Sequence, residues 1–348
     1  MSFKRFDAED VVVSAESIST PVWTGNKTTL TGFYTSSTQV GGASGDYYYN
    51  IYQTGSALED SRVQFSLAYG NKKGSGSLFF NPKVPGSTPS STIYGQYRSL
   101  LLGDEDSDFI FGGVPSEEFY ALSINRARYK EKLLPGTLSI VLAHAASNGQ
   151  TYVKTLTDNS KVASTVTFTD AGRVYELVSG SLGTLNTSLN NNGYSENNGS
   201  YGKLLPDVGV ILLNVKALNA SNAQGGLRLE SNTLPNTLVY SGSKTNLQQG
   251  FDLFKRGERF RIQSEETIAS NFVFIRARNS EFNYSTNPSL ITGSGELRHD
   301  VMINSPQSYI TSVGLYNDNN DLLAVAKLSR PLLKDFTKEA LVRVKLDY

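Results

Sequence analysis

The chain has 348 residues, and 32 Lys plus Arg are balanced by 32 Asp plus Glu. Zero net charge leaves no global field to draw it onto nucleic acid or an anionic membrane. With no cysteine, disulfides, thiolate metal sites and cysteine catalysis are excluded, in keeping with folding in a reducing cytoplasm.

The N-terminus, Met1 to Asp7, turns acidic at once and lacks the apolar core of a signal peptide. No run of about 18 apolar residues follows anywhere, so no membrane-spanning helix is expected. Charged residues make up only 18% of the chain, against 19 Tyr and 2 Met. That profile favours twisted β-sheet with polar turns over amphipathic helix.

The first strand signal is Tyr47 to Tyr52, β-prone on both faces and therefore expected to be covered on both sides. From Val63 to Gly70 the period is two. Val63, Phe65, Leu67 and Tyr69 form an apolar set, and Gln64, Ser66, Ala68 and Gly70 the opposite, water-facing one. Gly41-Gly42, Pro135-Gly136, Asn191-Asn192-Gly193, Asn198-Gly199 and Gly225-Gly226 punctuate the runs as turns. Helix is expected only as a turn or two within 128–134 and a turn within 332–338, each beside a proline. Residues 181–203 read as a long Asn/Gly/Ser loop that orders on a neighbouring subunit or simply connects. Phe272 to Ile275 is again β-prone on both faces. At the C-terminus Val342, Val344, Leu346 and Tyr348 alternate with Arg343, Lys345 and Asp347, which predicts a strand with one apolar and one wet face.

The expected fold is mostly β, with antiparallel β-sandwich-like lobes, long polar loops and little helix. Residues 1–175 form an N-terminal β lobe, 176–204 an Asn/Gly/Ser-rich loop or linker, and 205–348 a C-terminal β lobe.

Residues that carry chemistry are few. Asp104, Asp106 and Asp108 have the alternating spacing that suits a hard cation. Phe109 stands where a calcium loop needs Gly, however, and Pro115 where it needs a bidentate Glu. A solvated acidic turn is the better reading. Asn317, Asp318, Asn319 and Asp321 also carry oxygen donors. Asn and Asp equally tolerate left-handed backbone and cap their own turns, and apolar runs flank this knot, which predicts a hairpin tip.

His144 and His299 are the only histidines. Neither accompanies a G-x-S-x-G elbow, and the glycine-rich stretches at 74–78 and 293–297 have the wrong residue order for one. Structural roles are expected for both. No P-loop, dinucleotide fingerprint or marked carboxylate pair occurs. Arg126, Arg128, Lys130 and Lys132 form one basic stretch, and Lys255, Arg256, Arg259 and Arg261 another. Acidic residues interleave, so solvated faces or protein contacts are expected rather than nucleic acid. No catalytic, cofactor-binding or metal-binding residue is assigned.

Several long stretches carry a resemblance. They are "FKRFDAEDVVVSAESISTPVWTG" from Phe3, "FYTSSTQ" from Phe33, "GDYYYNIY" from Gly45, "YGQYRSLLLGDEDSDFIFG" from Tyr94 and "INRARYKEKLLPGTLSIVLA" from Ile124. "YITSVGLYNDNNDLLAVAKLSRPLLKDF" from Tyr309 and the final "VRVKLDY" complete the set. Together they resemble a virion structural protein of large contractile-tailed phages, especially marine and cyanobacterial ones. The resemblance implies a non-enzymatic part of the tail, most of all the baseplate wedge or its periphery. Such a protein is present in multiple copies, partners other virion structural proteins, and is made and assembled in the host cytoplasm. It carries no catalytic residue across. A carbohydrate-binding or glycan-cleaving receptor protein at the tail tip and a capsid decoration or neck protein are the alternatives.

Overall fold

The computed structural model describes residues 4–6, 10–21, 31–34, 48–52, 62–74, 89–146, 149–186, 194, 198–229 and 246–347. In chain order its strands begin with β1 (Val11–Pro21), β2 (Thr31–Tyr34), β3 (Tyr48–Tyr52), β4 (Val63–Asn71), β5 (Phe109–Phe111) and β6 (Val114–Ser116). There follow β7 (Glu118–Ile124), β8 (Lys132–Ala145), β9 (Thr151–Asp158), β10 (Thr167–Thr169), β11 (Gly172–Ser181) and β12 (Thr184–Leu185). The last are β13 (Gly202–Leu205), β14 (Val210–Asn214), β15 (Arg259–Ala277), β16 (Ser308–Tyr316), β17 (Leu322–Lys334) and β18 (Ala340–Asp347). Helices are α1 (Pro89–Leu102), the short α2 (Val215–Asn219), α3 (Asn246–Gly257) and the single turn α4 (Val301–Asn304). The protein is mostly β with antiparallel sheets, as its composition predicts.

The chain divides into two compact units, residues 18–266 and residues 1–17 with 267–348. This is not the expected division at 176–204. Strands β11 and β13, which flank that segment, pair directly through Tyr175↔Leu204 and Leu177↔Gly202. An Asn/Gly-rich stretch between paired strands is an intrasheet connection, whatever its composition.

The larger unit is built on one antiparallel sheet running β8-β9-β11-β13-β14-β7-β4-β3-β2, with the first half of β15 added beside β8. Its central strands are covered on both faces. Phe65, Leu67 and Tyr69 of β4 join a core that includes Leu247, Leu253 and Phe254 of α3. The Phe65 ring lies 5.4 Å from Phe254 and 4.9 Å from Phe260. The opposite face of β4, expected to meet water, is instead roofed by α1. Ala68 shares a second core with Ile93, Tyr94 and Leu101 of that helix. Gly70 lets the roof come down. A Cβ there would sit 2.9 Å from the Phe119 ring and 3.3 Å from the Tyr94 Cα. Each such buried aromatic side chain contributes about 1.5–3 kcal/mol by removal from water.

Pro135-Gly136 is no turn between strands but a bulge inside β8. Pairing with β15 jumps from Arg261↔Ser139 to Gln263↔Leu134. Gly136, at φ +81°, presents its N–H to the fully buried Asp158 carboxylate at 2.8 and 3.0 Å. In place of the expected helical turn at 128–134 there is a 3₁₀ turn at Arg126–Arg128, and β8 begins at Lys132. At 332–338, β17 continues to Lys334 and no helix forms.

The smaller unit packs strand pair against strand pair. In β15–β18 the register Val273↔Val344 and Ile275↔Val342 turns one face inward. It meets Leu315, Val313, Ala324 and Ala326 from the β16–β17 hairpin. Among the described residues only Val273, Leu315 and Val344 are buried in that core, the rest being partly buried.

Candidate functional site

The acidic turn after α1 is occupied with itself. Asp104 Oδ1 accepts the backbone N–H groups of Asp106 at 2.9 Å and Ser107 at 2.7 Å, and Oδ2 accepts the Ser107 hydroxyl. The Ser107 hydroxyl and amide hold the Asp104 carboxyl below its ordinary range. Asp108 pairs with Lys72 at 2.6 Å. Asp104 thus caps the loop and Asp108 is held by Lys72, uses of Asp that compete with metal ligation for the same lone pairs.

The polar knot is a hairpin tip. β16 and β17 pair on either side of it. Asn317 Oδ1 accepts the N–H of Asn319 at 3.0 Å and of Asp321 at 2.7 Å, while its Nδ2 donates to Asp321 Oδ2 at 2.9 Å. Asn320 takes the left-handed conformation, φ +64°, that Asn tolerates. Among the described residues no group of three or more His, Asp or Glu is placed to hold a metal.

The two histidines fall in different units. His144 lies on β8 opposite Tyr152, in the larger unit. His299 precedes α4 in the smaller one. Arg126, Lys130 and Lys132 of the first basic stretch are committed locally. The Arg126 guanidinium donates to the carbonyls of Tyr129 and Lys130 and lies 4.6 Å from the Tyr129 ring centre. Lys130 faces Glu266 at 3.9 Å, and Lys132 faces Glu131 at 3.8 Å and Glu265 at 3.7 Å. Arg173 extends this ionic face with a fork to Asp207, Nη2 to Oδ1 at 2.7 Å and Nε to Oδ1 at 3.1 Å. Lys255 and Arg256 close the last turn of α3, where cations complement the helix dipole.

Of the 181–203 loop, residues 187–193 and 195–197 lie outside the described residues, as do Gly41-Gly42 and Tyr348. The described ends are tied down. Asn186 N–H donates to the Ser179 carbonyl at 2.8 Å. Asn214 Nδ2 donates to the carbonyls of Asn198 at 3.0 Å and Ser200 at 2.9 Å. Glu176, which accepts the Ser200 hydroxyl and faces Lys203 at 3.7 Å, has its carboxyl pushed up by burial.

What distinguishes the molecule is the outside of its smaller unit. Of the twenty large hydrophobic side chains exposed among the described residues, thirteen belong to this unit. The hairpin carries a set of them. With Ala324 and Ala326 turned to the core, Val325 is 62% exposed and Leu323 at the bulged end 68%. Tyr309, Tyr316 and Leu322 are exposed on the same two strands. Gly314 keeps this face flat, because a Cβ there would meet the Tyr316 ring at 2.9 Å and Leu322 at 3.3 Å. On β15–β18 the outward side presents Phe272, with Arg343 5.4 Å and Lys345 5.8 Å from its ring centre.

Between β15 and β16 the chain makes a long excursion. Phe282, Tyr284, Leu290, Leu297, Met302 and Pro306 of this excursion, with Phe336 from the β17–β18 connection, line a 330 Å³ cleft with Ser280 and Asn283. Phe282, Tyr284 and Phe336 are exposed. Reasoning from sequence did not single out this region, since its apolar residues are scattered among Asn, Ser and Gly with no period. No family model, curated protein or solved structure matches the chain.

Proposed function

We propose that this chain is a non-enzymatic structural component of a phage particle. Its place is the tail baseplate, in the wedge or at the periphery, and it works through subunit–subunit interfaces. The supporting observation is the concentration of exposed apolar side chains on the smaller unit, whose own core is small. Surfaces of this kind are costly in water and are kept where another surface covers them. Tyr309, Tyr316 and Tyr284 fit that role, since tyrosine gives large contact area at low entropic cost. The long stretches that resemble contractile-tail virion proteins supply the address.

A density map of the intact particle is the test. The expected result is this fold repeated around the tail end, with Leu323 and Val325 covered by a neighbour. A virion of the producing phage that lacks the chain overturns the reading.

A second reading, glycan binding at the tail tip, is favoured by the three exposed rings of the cleft, because aromatic faces stack on sugars. Retention on host surface polysaccharide, lost in Tyr284→Ala, is its expected signature.

A further inference from the structure

We infer that Lys334 and Asn283 are the two halves of an intramolecular amide cross-link, formed by the protein itself with loss of ammonia. The pair stands apart from the other lysines among the described residues. Lys334 is fully buried and Asn283 nearly so. Lys334 Nζ lies 2.9 Å from Asn283 Oδ1, and its other partners are the carbonyl oxygens of Asn279 at 2.9 Å and Asp335 at 3.0 Å. No carboxylate pairs with this amine among the described residues.

The amide is held as firmly as the amine. Asn283 Nδ2 donates to the Asn279 carbonyl at 2.7 Å. One oxygen therefore accepts from both the attacking nitrogen and the nitrogen that would leave. The preceding residue, Phe282, is in the left-handed region at φ +54°, a conformation that costs a non-glycine residue energy and survives only where surroundings enforce it. Its carbonyl is fixed by the Ser308 hydroxyl at 2.5 Å. The rings of Phe282, Tyr284 and Phe336 line the same cleft as Asn283, so the reacting groups sit beside apolar surface.

The step balances without a co-reactant. The form of Lys334 that can react is the free amine: its nitrogen moves from beside Oδ1 to the adjoining Cγ and forms the Nζ–Cγ bond. The Cγ–Nδ2 bond breaks. One Nζ proton passes to the departing nitrogen, with the shared Asn279 oxygen between them, and ammonia leaves. Holding both groups in contact replaces a bimolecular aminolysis by a unimolecular one, where such placement contributes most.

The bond would also answer a structural need. The chain has no cysteine, the smaller unit has a small apolar core, and the excursion from Arg278 to Gln307 holds one helical turn and a lone bridge, Ile291↔Leu297. A covalent tie from Asn283 to the end of β17 closes a loop across that excursion, as a disulfide would elsewhere.

Intact-mass measurement on the purified full chain, followed by peptide sequencing of a digest, tests the inference. The expected result is a species lighter by one ammonia than its Lys334→Arg counterpart after correction for the substitution, and a branched peptide joining Lys334 to Asn283. A chain of unaltered mass overturns it. So does an ammonia loss that maps to an Asn-Gly succinimide, for instance at Asn198-Gly199, without a branched peptide. The wild-type mass decides the matter even where the variant fails to fold.

Discussion

Val344 lies directly opposite Val273 in the β15–β18 pair, and each is 5% exposed. One residue further on, Lys345 lies opposite Phe272 with its ammonium over the ring. Val344→Asp places an unpaired carboxylate in a core of few side chains and is expected to cost about 3–5 kcal/mol. Lys345→Asp forfeits a solvated cation–aromatic contact of about 0.5–1 kcal/mol and folds normally. Urea unfolding of the two variants checks this. Equal loss in both would mean that the faces of β18 are assigned wrongly.

The C-terminal strand was fully legible because its environment is one-sided, so that apolar and charged residues alternate with the pleat. The hairpin tip at 317–321 was legible for a similar reason: Asn and Asp act there through their own backbone. The second face of β4 was not. Ser66, Ala68 and Gly70 read as solvent-facing, yet small residues are what a strand needs where a helix lies close. That helix, α1, was missed because Ser, Thr, Ile and Tyr are indifferent helix formers. Its punctuation was present all the same, with Pro89 in its first turn and Gly103 just past its end at φ +72°. In α3 the apolar spacing Leu247, Leu253, Phe254 was masked by the adjoining basic run, which reads as strand. The Lys334–Asn283 pair spans 51 residues and no local pattern announces it.

Gly250 sits within α3 against the ring of Tyr120, where a Cβ would meet Cε1 at 2.7 Å and Cδ1 at 2.9 Å. Helix propensity alone predicts that Gly250→Ala stabilises by about 1 kcal/mol. Tyr120 is fully buried and its hydroxyl donates to the Asn246 carbonyl at 2.9 Å, so the ring cannot swing away. Overpacking of about 1–3 kcal/mol is expected to win. A lowered midpoint in chemical denaturation is the outcome to look for, and a raised one would show that α3 has room to lift.

Two carboxylates give opposite pH signatures. For Asp207, burial alone would raise the carboxyl, but the Arg173 hydrogen bonds more than offset it and the net shift is downward from 3.8. Its contribution is present above that value and lost as pH falls through the lower folded one. Glu176 is shifted upward from 4.5, first by burial, with Lys203 and Ser200 opposing. The folded state then holds this proton more tightly, and stability falls as pH rises from 4.5 toward the raised value. Denaturation across an acid pH series should show a shallower acid loss for Asp207→Asn, at about 1 kcal/mol below wild type near neutrality. Glu176→Gln should lose the decline above 4.5. Unchanged pH profiles in both variants would refute the assignment.

The proposed assembly role can be separated from folding at the hairpin. Leu323 and Val325 point away from the core that Ala324 and Ala326 enter, so removing their apolar surface takes nothing from the isolated unit. The double variant Leu323→Ser, Val325→Ser is expected to unfold within about 0.5 kcal/mol of wild type, as surface changes do. In the particle the same two side chains would fall within an interface of standard size, about 1,600 Å², where central apolar contacts dominate binding. Loss of two such anchors is expected to lower incorporation into virions at least tenfold, equivalent to about 1.4 kcal/mol. Mass-spectrometric copy counting on virions from a complemented deletion reads this directly. Full incorporation of a normally folded double variant would move the contact surface elsewhere, to the β15–β18 face where Arg343 and Lys345 flank Phe272.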